Sequence, residues 1–300
     1  MTSTQTRADV AVKVAASLGI HSRDPVVLAD GANVVVHLRP APVVAKVAAS
    51  TTAVRPAAAW LQRELDVTRF LAGRGAPVMT PSPEVPATVH YGDGQVMSFW
   101  RYLSPSGGDP SGGDARGRDA SGGGPGGGVL ASEDVIGPML RDLHAELARY
   151  PGQLPVLAPL QDIPAYLARP QTALTPAEAA ALAAAHARLT AELGSFSARP
   201  LHGDAGAGNL MATSAGWIWH DFEDTCSGPV AWDVAASTAS QRLDARRVLA
   251  AYGEPVDPAQ LAACEQLRRL HLTVWYNLYA ERLPHLRPRA AELLTQWPPP

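Results

Sequence analysis

Lysine is almost absent from this 300-residue chain. Of its 25 basic residues, only Lys13 and Lys46 are lysines, and Asn33, Asn209 and Asn277 are the only asparagines. A coding bias toward Arg, Ala, Gly and Pro accounts for this scarcity, and it draws attention to the residues that persist against it. Cysteine is equally scarce. Cys226 and Cys264 have no metal-ligand spacing and give no ground for a disulfide. Basic excess is missing too: a formal net charge of −3 points away from nucleic acid as a partner. No apolar run approaches about 18 residues, so no membrane span is expected. The first residues, MTSTQTRADVAVKVAA, include Asp9 and lack an apolar signal core, so the expectation is a cytoplasmic chain without a secretory leader. Apolar residues, by contrast, make up 46% of the chain. That is enough for a substantial core in one large domain or two small ones.

Taken in order, the first hundred residues read mainly as strands. A helix is expected over 7–20 and ends at Gly19. A short strand at 26–28 is followed by a turn, Asp30-Gly31-Ala32-Asn33, and then by β-branched runs at 34–38 and 43–47. Residues 57–73 have strong helical periodicity with Gly73 as a C-terminal cap. Residues 77–86 are proline-rich and extended, and 88–91 and 95–103 form a hairpin around Gly92-Asp93-Gly94. Then the composition breaks. Residues 104–128 hold eleven glycines and no large apolar side chain, the mark of a flexible insertion. A fivefold longer loop costs only about 1.4 kcal/mol of closure entropy, so such a joint is tolerated between two lobes. Beyond it helices dominate: one preceded by Ser132 and Asp134, a short piece at 162–168, and longer ones at 176–193, 233–252 and 258–283. The terminal WPPP cannot continue a helix. The pattern is α+β, with lobes at 1–103 and 129–300.

The informative stretch is 201–236. It carries His202-Gly203-Asp204, then Asn209, a short turn-and-strand over 215–219, and Asp221-Phe222-Glu223. This reads as a hairpin with a polar loop at each end. One loop offers a carboxylate and an amide, the other a carboxylate. Phosphoryl transfer needs this set: an acid to orient a hydroxyl, and oxygen ligands for magnesium. Upstream, Lys46 sits in mid-strand, where it reads equally as a solvent-facing lysine and as a functional one, and Glu64 sits in mid-helix, where it reads as a solvated charge or as one that reaches Lys46 and holds it toward a nucleotide.

The spacing His202, Asp204, Asn209 matches the H-R-D-x4-N catalytic loop of kinases, with Gly203 in place of Arg. Together with Asp221-Phe222-Glu223 and GPVAWDVA at 228–235, it resembles the aminoglycoside phosphotransferase and choline kinase-like family. The resemblance covers nearly the whole chain outside 104–128. It implies a two-lobed protein-kinase-like fold, an N-terminal antiparallel sheet lobe with one helix and a mainly helical C-terminal lobe. It implies ATP and Mg2+, and a small-molecule hydroxyl as acceptor. Gly31 to Asn33 would cover the phosphates, and Lys46, held by Glu64, would contact them. The backbone around Ser98, Trp100 and Tyr102 would meet adenine. Asp204 would be the catalytic acid/base, and Asn209 and Asp221 the metal ligands.

Plainer roles suit other residues. His202, His144 and His220 read as structural hydrogen-bonders, Asp233 as a partner of the catalytic loop, and Trp275, Tyr276 and Tyr279 as core. Glu223 reads equally as a contact near the metal and as a polar loop residue. Two departures from kinases matter. The phosphate turn is short, and no activation segment separates Asp221 from GPVAWD. The second departure disfavours a protein kinase. A nucleotide-binding module without transfer is the other class considered, and the intact Asp204, Asn209 and Asp221 speak against it. The acceptor itself is not encoded in any motif. Glu254, Asp257, Glu265 and Glu281 are acids that could meet a cationic antibiotic.

Overall fold

The computed structural model describes residues 3–104 and 130–298. Apart from Ser104, the glycine-rich joint expected at 104–128 lies outside them. The chain forms two compact units. One comprises Met1–Thr52, Pro56–Ala131 and Gly208–Glu223, the other Ala53–Arg55, Ser132–Ala207 and Asp224–Pro300.

The first unit is built on an antiparallel sheet of β1 (Asp24–Asp30), β2 (Asn33–Arg39), β3 (Val43–Ala48), β4 (His90–Gly92) and β5 (Gln95–Arg101), in the order β1-β2-β3-β5-β4. Asp93 and Gly94, both at positive φ, make the tight turn between β4 and β5 that an Asp-Gly pair favours. Strand alternation then sorts the side chains. Val34, Val36 and Leu38 of β2, Val43, Ala45 and Val47 of β3, and Met97 and Phe99 of β5 share one core with Ala8, Ala11 and Ala15 of α1 (Thr4–Ser17). On the opposite face Val44 and Trp100 pack with Leu65 of α2 (Ala57–Gly73). Because successive side chains alternate between faces, Asn33, Lys46 and Ser98 also fall on the α2 side. Leu65 is fully buried there, a burial that stabilises by about 2 kcal/mol. Among the described residues this unit carries the two helices expected at 7–20 and 57–73, one more than the resemblance implied, since the sheet is hydrophobic on both faces and needs a cover on each.

The second unit is mainly helical: α3 (Glu133–Leu147), α4 (Asp162–Leu167), α5 (Pro176–Leu193), then the strand β6 (Arg199–Leu201). The chain next crosses to the first unit for the hairpin β7 (Leu210–Thr213) and β8 (Gly216–Trp219). It returns as β9 (Cys226–Gly228), which pairs with β6, and continues into α6 (Ala231–Thr238), α7 (Ala245–Tyr252), α8 (Pro258–Arg282) and α9 (Arg287–Leu294). Helix starts follow their caps. Thr175 and Glu178 form a reciprocal capping box with Pro176 in the first turn, and Asp257 caps α8 just before Pro258, both favoured arrangements. Two expectations need correction. The helix expected over 233–252 is two helices, because the Asp244 side chain accepts from the amides of Arg246 and Arg247 and starts α7 afresh. The short α9 before the terminal prolines was not anticipated. Among the described residues, no helix is long and apolar enough to cross a membrane.

Candidate active site

Strand alternation places Lys46 on the α2 face of the sheet, buried to 7% exposure. Its ammonium is surrounded by carboxylates. Nζ lies 3.0 and 2.9 Å from the two oxygens of Glu64, 2.5 Å from Asp221 Oδ1 and 3.1 Å from Glu223 Oε2. Burial works against the charged lysine, but Asp221, Glu223 and Glu64 outweigh it and hold the ammonium well above the ordinary lysine range. Glu64 is only 2% exposed. Burial pushes its carboxyl up to about 8, and Asp221 and Glu223 add to the rise against the pull of Lys46.

The β7–β8 hairpin explains how Asp221 reaches this cluster. Leu210 pairs with Trp219 at its open end, and the His220 amide donates to the Asn209 carbonyl at 3.0 Å. Asn209 and Asp221 therefore flank the same end of one hairpin, which is how twelve residues of separation collapse. The hairpin is tied to the preceding extended segment, since the Met79 amide donates to Trp219 O at 2.8 Å and the Trp219 amide to Pro77 O at 2.9 Å. Asp221 adopts φ +65, a left-handed conformation that Asp tolerates better than most residues. Phe222, fully buried, anchors the segment next to it.

Glu64, Asp221 and Glu223 bring carboxylate oxygens within 4.8 Å of one another. Hard carboxylate donors suit magnesium, which binds through a few such oxygens and keeps water on the rest of its shell. The cluster sets three carboxyl groups against one ammonium, and a divalent cation beside them would hold all three in the charged form. The donor set of this unit fits the metal that the sequence resemblance implied.

The other residues expected at the nucleotide have these surroundings. The turn after β1 is a two-residue hairpin. Gly31 N–H donates to Asn33 O at 3.0 Å, and the Ala32 carbonyl accepts from the Ala49 and Thr51 amides. The Gly31 amide is therefore engaged within the protein. The Asn33 side chain donates to Glu223 Oε2 at 2.8 Å, so it joins the carboxylate cluster. Ser98 is fully buried beside Lys46 in the β3–β5 register, and its hydroxyl accepts from the Trp100 indole at 2.9 Å. In the same span the Phe99 carbonyl accepts from Ser82, the Arg101 amide donates to Thr80 and the Tyr102 amide to Pro42. The Tyr102 ring stacks on His37 at 3.6 Å. Much of the 98–102 backbone is thus already paired within the unit.

In the second unit, α6 holds the His202-Gly203-Asp204 loop. The buried Asp233 carboxylate accepts from the His202 amide at 2.8 Å and the Gly203 amide at 2.9 Å. Its third partner is His144 Nε2 at 3.0 Å. Trp232 Nε1 donates to Gly203 O at 2.7 Å, and Ser237 Oγ to Ala205 O at 2.6 Å. His202 Nδ1 accepts from the Asp204 amide at 3.2 Å. Asp233 and His202 are therefore the structural partners that the sequence suggested. Asp204 remains partly exposed, paired with Arg268 of α8.

The model of the phosphotransferase enzyme family matches residues 26–264, which includes every motif residue described above. The chain belongs to the phosphotransferase enzyme family. No curated sequence matches it. Among solved structures, it is similar to an amicoumacin kinase in complex with AMP-PNP, Ca2+ and Ami, at 13% identity and TM-score 0.65, over 98% of this chain and 96% of that one. It is also similar to the choline kinase LicA from Streptococcus pneumoniae, at 16% identity and TM-score 0.59, over 97% and 99%. A GDP and kanamycin complex of APH(2")-IIia shows 17% identity and TM-score 0.58, over 95% of each chain. At these identities the likeness is one of fold, and the fold of this phosphotransferase family member is that of the aminoglycoside and choline kinases.

Arg55, Asp162, Asp224 and Arg268 belong to the site region without being part of any of its sequence motifs. Arg55 is buried between Asp162, at 2.9 and 3.0 Å from Nε, and Asp224, at 2.7 Å from Nη1. Nothing local to Arg55 announces this. Asp162 was seen only as the start of a short helix. Arg268 did leave a signal. Cys264, Arg268, His271 and Trp275 recur at spacings of four, three and four along α8, which puts an arginine on the buried stripe of the helix.

Proposed function

We propose that this phosphotransferase moves the γ-phosphoryl group of ATP to a hydroxyl of a small molecule in a magnesium-dependent reaction. The observation that carries the reading is the Lys46 ammonium held by Glu64 and Asp221. A lysine buried among carboxylates, in a family of phosphotransferases, is a charge prepared for phosphate. Lys46 would contact the α- and β-phosphates, with Glu64 holding its position. Asn209 and Asp221 would hold magnesium, with Glu223 beside them. The metal supplies neutralisation of phosphate charge when bound. Asp204 would accept a hydrogen bond from the acceptor hydroxyl and orient it in line with the γ-phosphorus. As the new O–P bond forms, the bond to the β-phosphate oxygen breaks, ADP leaves with that electron pair, and the hydroxyl proton passes to Asp204. The transition state of such transfers is loose, so positioning and electrostatics outweigh proton abstraction.

Residues 1–103 would serve the nucleotide and 129–300 the acceptor, with the glycine-rich segment joining them, in a cytoplasmic enzyme supplied with ATP. Aminoglycosides, sugars and amino alcohols are the acceptor classes that the family suggests. ATP consumption measured against a panel of these and of nucleosides tests the reading. Acceptor-dependent ADP release that Asp204→Ala abolishes is the expected result. ATP binding without ADP release for any acceptor would favour a binding module.

A further inference from the structure

A catalytic carboxylate meant for a polycationic acceptor should stand among unpaired acids. The second unit has the opposite charge arrangement. Glu281 is held bidentately by Arg169, at 2.9 Å for both contacts. Glu254 pairs with Arg199 at 3.6 Å. Asp257 is engaged as the N-cap of α8. Asp162 and Asp224 share Arg55. Three of the four acids that the sequence offered to a cationic antibiotic are thus already engaged, and Glu265 alone is left.

Beside Asp204 itself stands a cation. Arg268 Nη2 bonds Asp204 Oδ1, Nη1 donates to Gly203 O at 3.1 Å, and the guanidinium lies over the Trp232 ring at 5.0 Å from its centroid. Packing on an indole and a backbone carbonyl fixes the group in place. It is not a mobile surface charge, yet its side chain keeps 19% exposure. Guanidinium carries five N–H donors, so donors remain beyond those that meet Asp204 and Gly203. Arginine is the residue suited to planar oxyanions.

We propose that Arg268 is a specificity-determining residue, and that the acceptor carries an anionic group, a carboxylate or a phosphate, close to the hydroxyl that is phosphorylated. Arg268 pairs with that group and keeps Asp204 directed at the hydroxyl. A polycation meets the guanidinium first and is repelled. This inference rests on the phosphotransferase reading above, and its test is chosen to separate the two.

The test is calorimetric titration of the chain, loaded with a non-hydrolysable ATP analogue and magnesium, with four probes: glycerate, glycerol phosphate, ethanolamine and kanamycin. Binding is read without turnover, so a failure of the transfer reading leaves the result intact. One or both anionic probes should bind more tightly than the cationic pair, and the stronger of the two identifies the group. Arg268→Met should weaken that probe by about ten- to hundredfold, the scale of one charge-assisted hydrogen bond, and Arg268→Lys should restore part of the loss. With a turned-over acceptor KM should rise through the lost anion contact and kcat should fall through the lost hold on Asp204. Equal binding of all four probes, tighter binding of ethanolamine or kanamycin, or an Arg268→Met chain that retains its order of preference would each overturn the proposal. The probe preference of the parent chain decides the matter even if the variants fold poorly.

Discussion

The carbonyl oxygen of Asp224 occupies the place that a side chain on Gly203 would need. A Cβ built there runs into the Asp224 carbonyl far inside van der Waals contact, and Gly203 adopts φ +89. The His202-Gly203-Asp204 loop and the residue that follows Asp221-Phe222-Glu223 are therefore in backbone contact, and this contact explains the glycine at this position.

Gly203→Ala should consequently disrupt folding as well as turnover. The left-handed backbone alone costs about 1–3 kcal/mol in a non-glycine residue, and the clash adds to it. Denaturant unfolding should show a loss of at least about 2 kcal/mol, and a variant as stable as the parent would contradict this packing.

Asp204→Ala should lower turnover by on the order of 10²-fold or more, the usual scale for a positioned acid/base residue. Nucleotide binding should persist, because Lys46 and its carboxylates belong to the other compact unit. Steady-state kinetics on a confirmed acceptor, paired with nucleotide titration, checks both halves.

Lys46→Met removes the ammonium and leaves Glu64, Asp221 and Glu223 facing one another in a buried space. Breaking a buried ion pair in this way costs about 3–5 kcal/mol. The loss should appear in thermal unfolding without ligand, which separates it from the loss of nucleotide affinity that also follows.

Magnesium should raise the stability of the parent chain by about 2.7 kcal/mol at a hundred times its dissociation constant. Asp221→Asn should remove most of that gain. Melting curves with and without the metal make the comparison, and an undiminished shift in the variant would place the ion elsewhere.

Acid should destabilise the second unit through Asp162 and Asp233. Burial raises both carboxyls, but Arg55 and His271 together outweigh it at Asp162, and His144 and His202 together at Asp233, so both are held below the ordinary value of 3.8. A depressed carboxyl contributes stability that is present above its unfolded value and lost as pH falls through its folded one. Stability read by urea unfolding should therefore hold near pH 6 and fall as the pH drops through and below 3.8, and Asp162→Asn should lower stability at pH 6 and flatten that fall.

The sequence by itself determined what is local or periodic. The β-branched runs and Asp-Gly turn specified the β-strands of the first unit, while the β3–β5 register set Lys46 beside Ser98. Capping residues specified where α5 and α8 begin. The spacing of His202, Asp204, Asn209 and Asp221 carried the resemblance to the phosphotransferase family to which the chain belongs. Only the tertiary structure decided which groups meet across long separations. No spacing rule could show that Glu223 completes the ring around Lys46, that Arg55 joins Asp162 to Asp224, or that Arg268, 64 residues on, sits against Asp204. Such pairs depend on where whole helices pack, and ion pairs at that range leave no periodic trace in the chain.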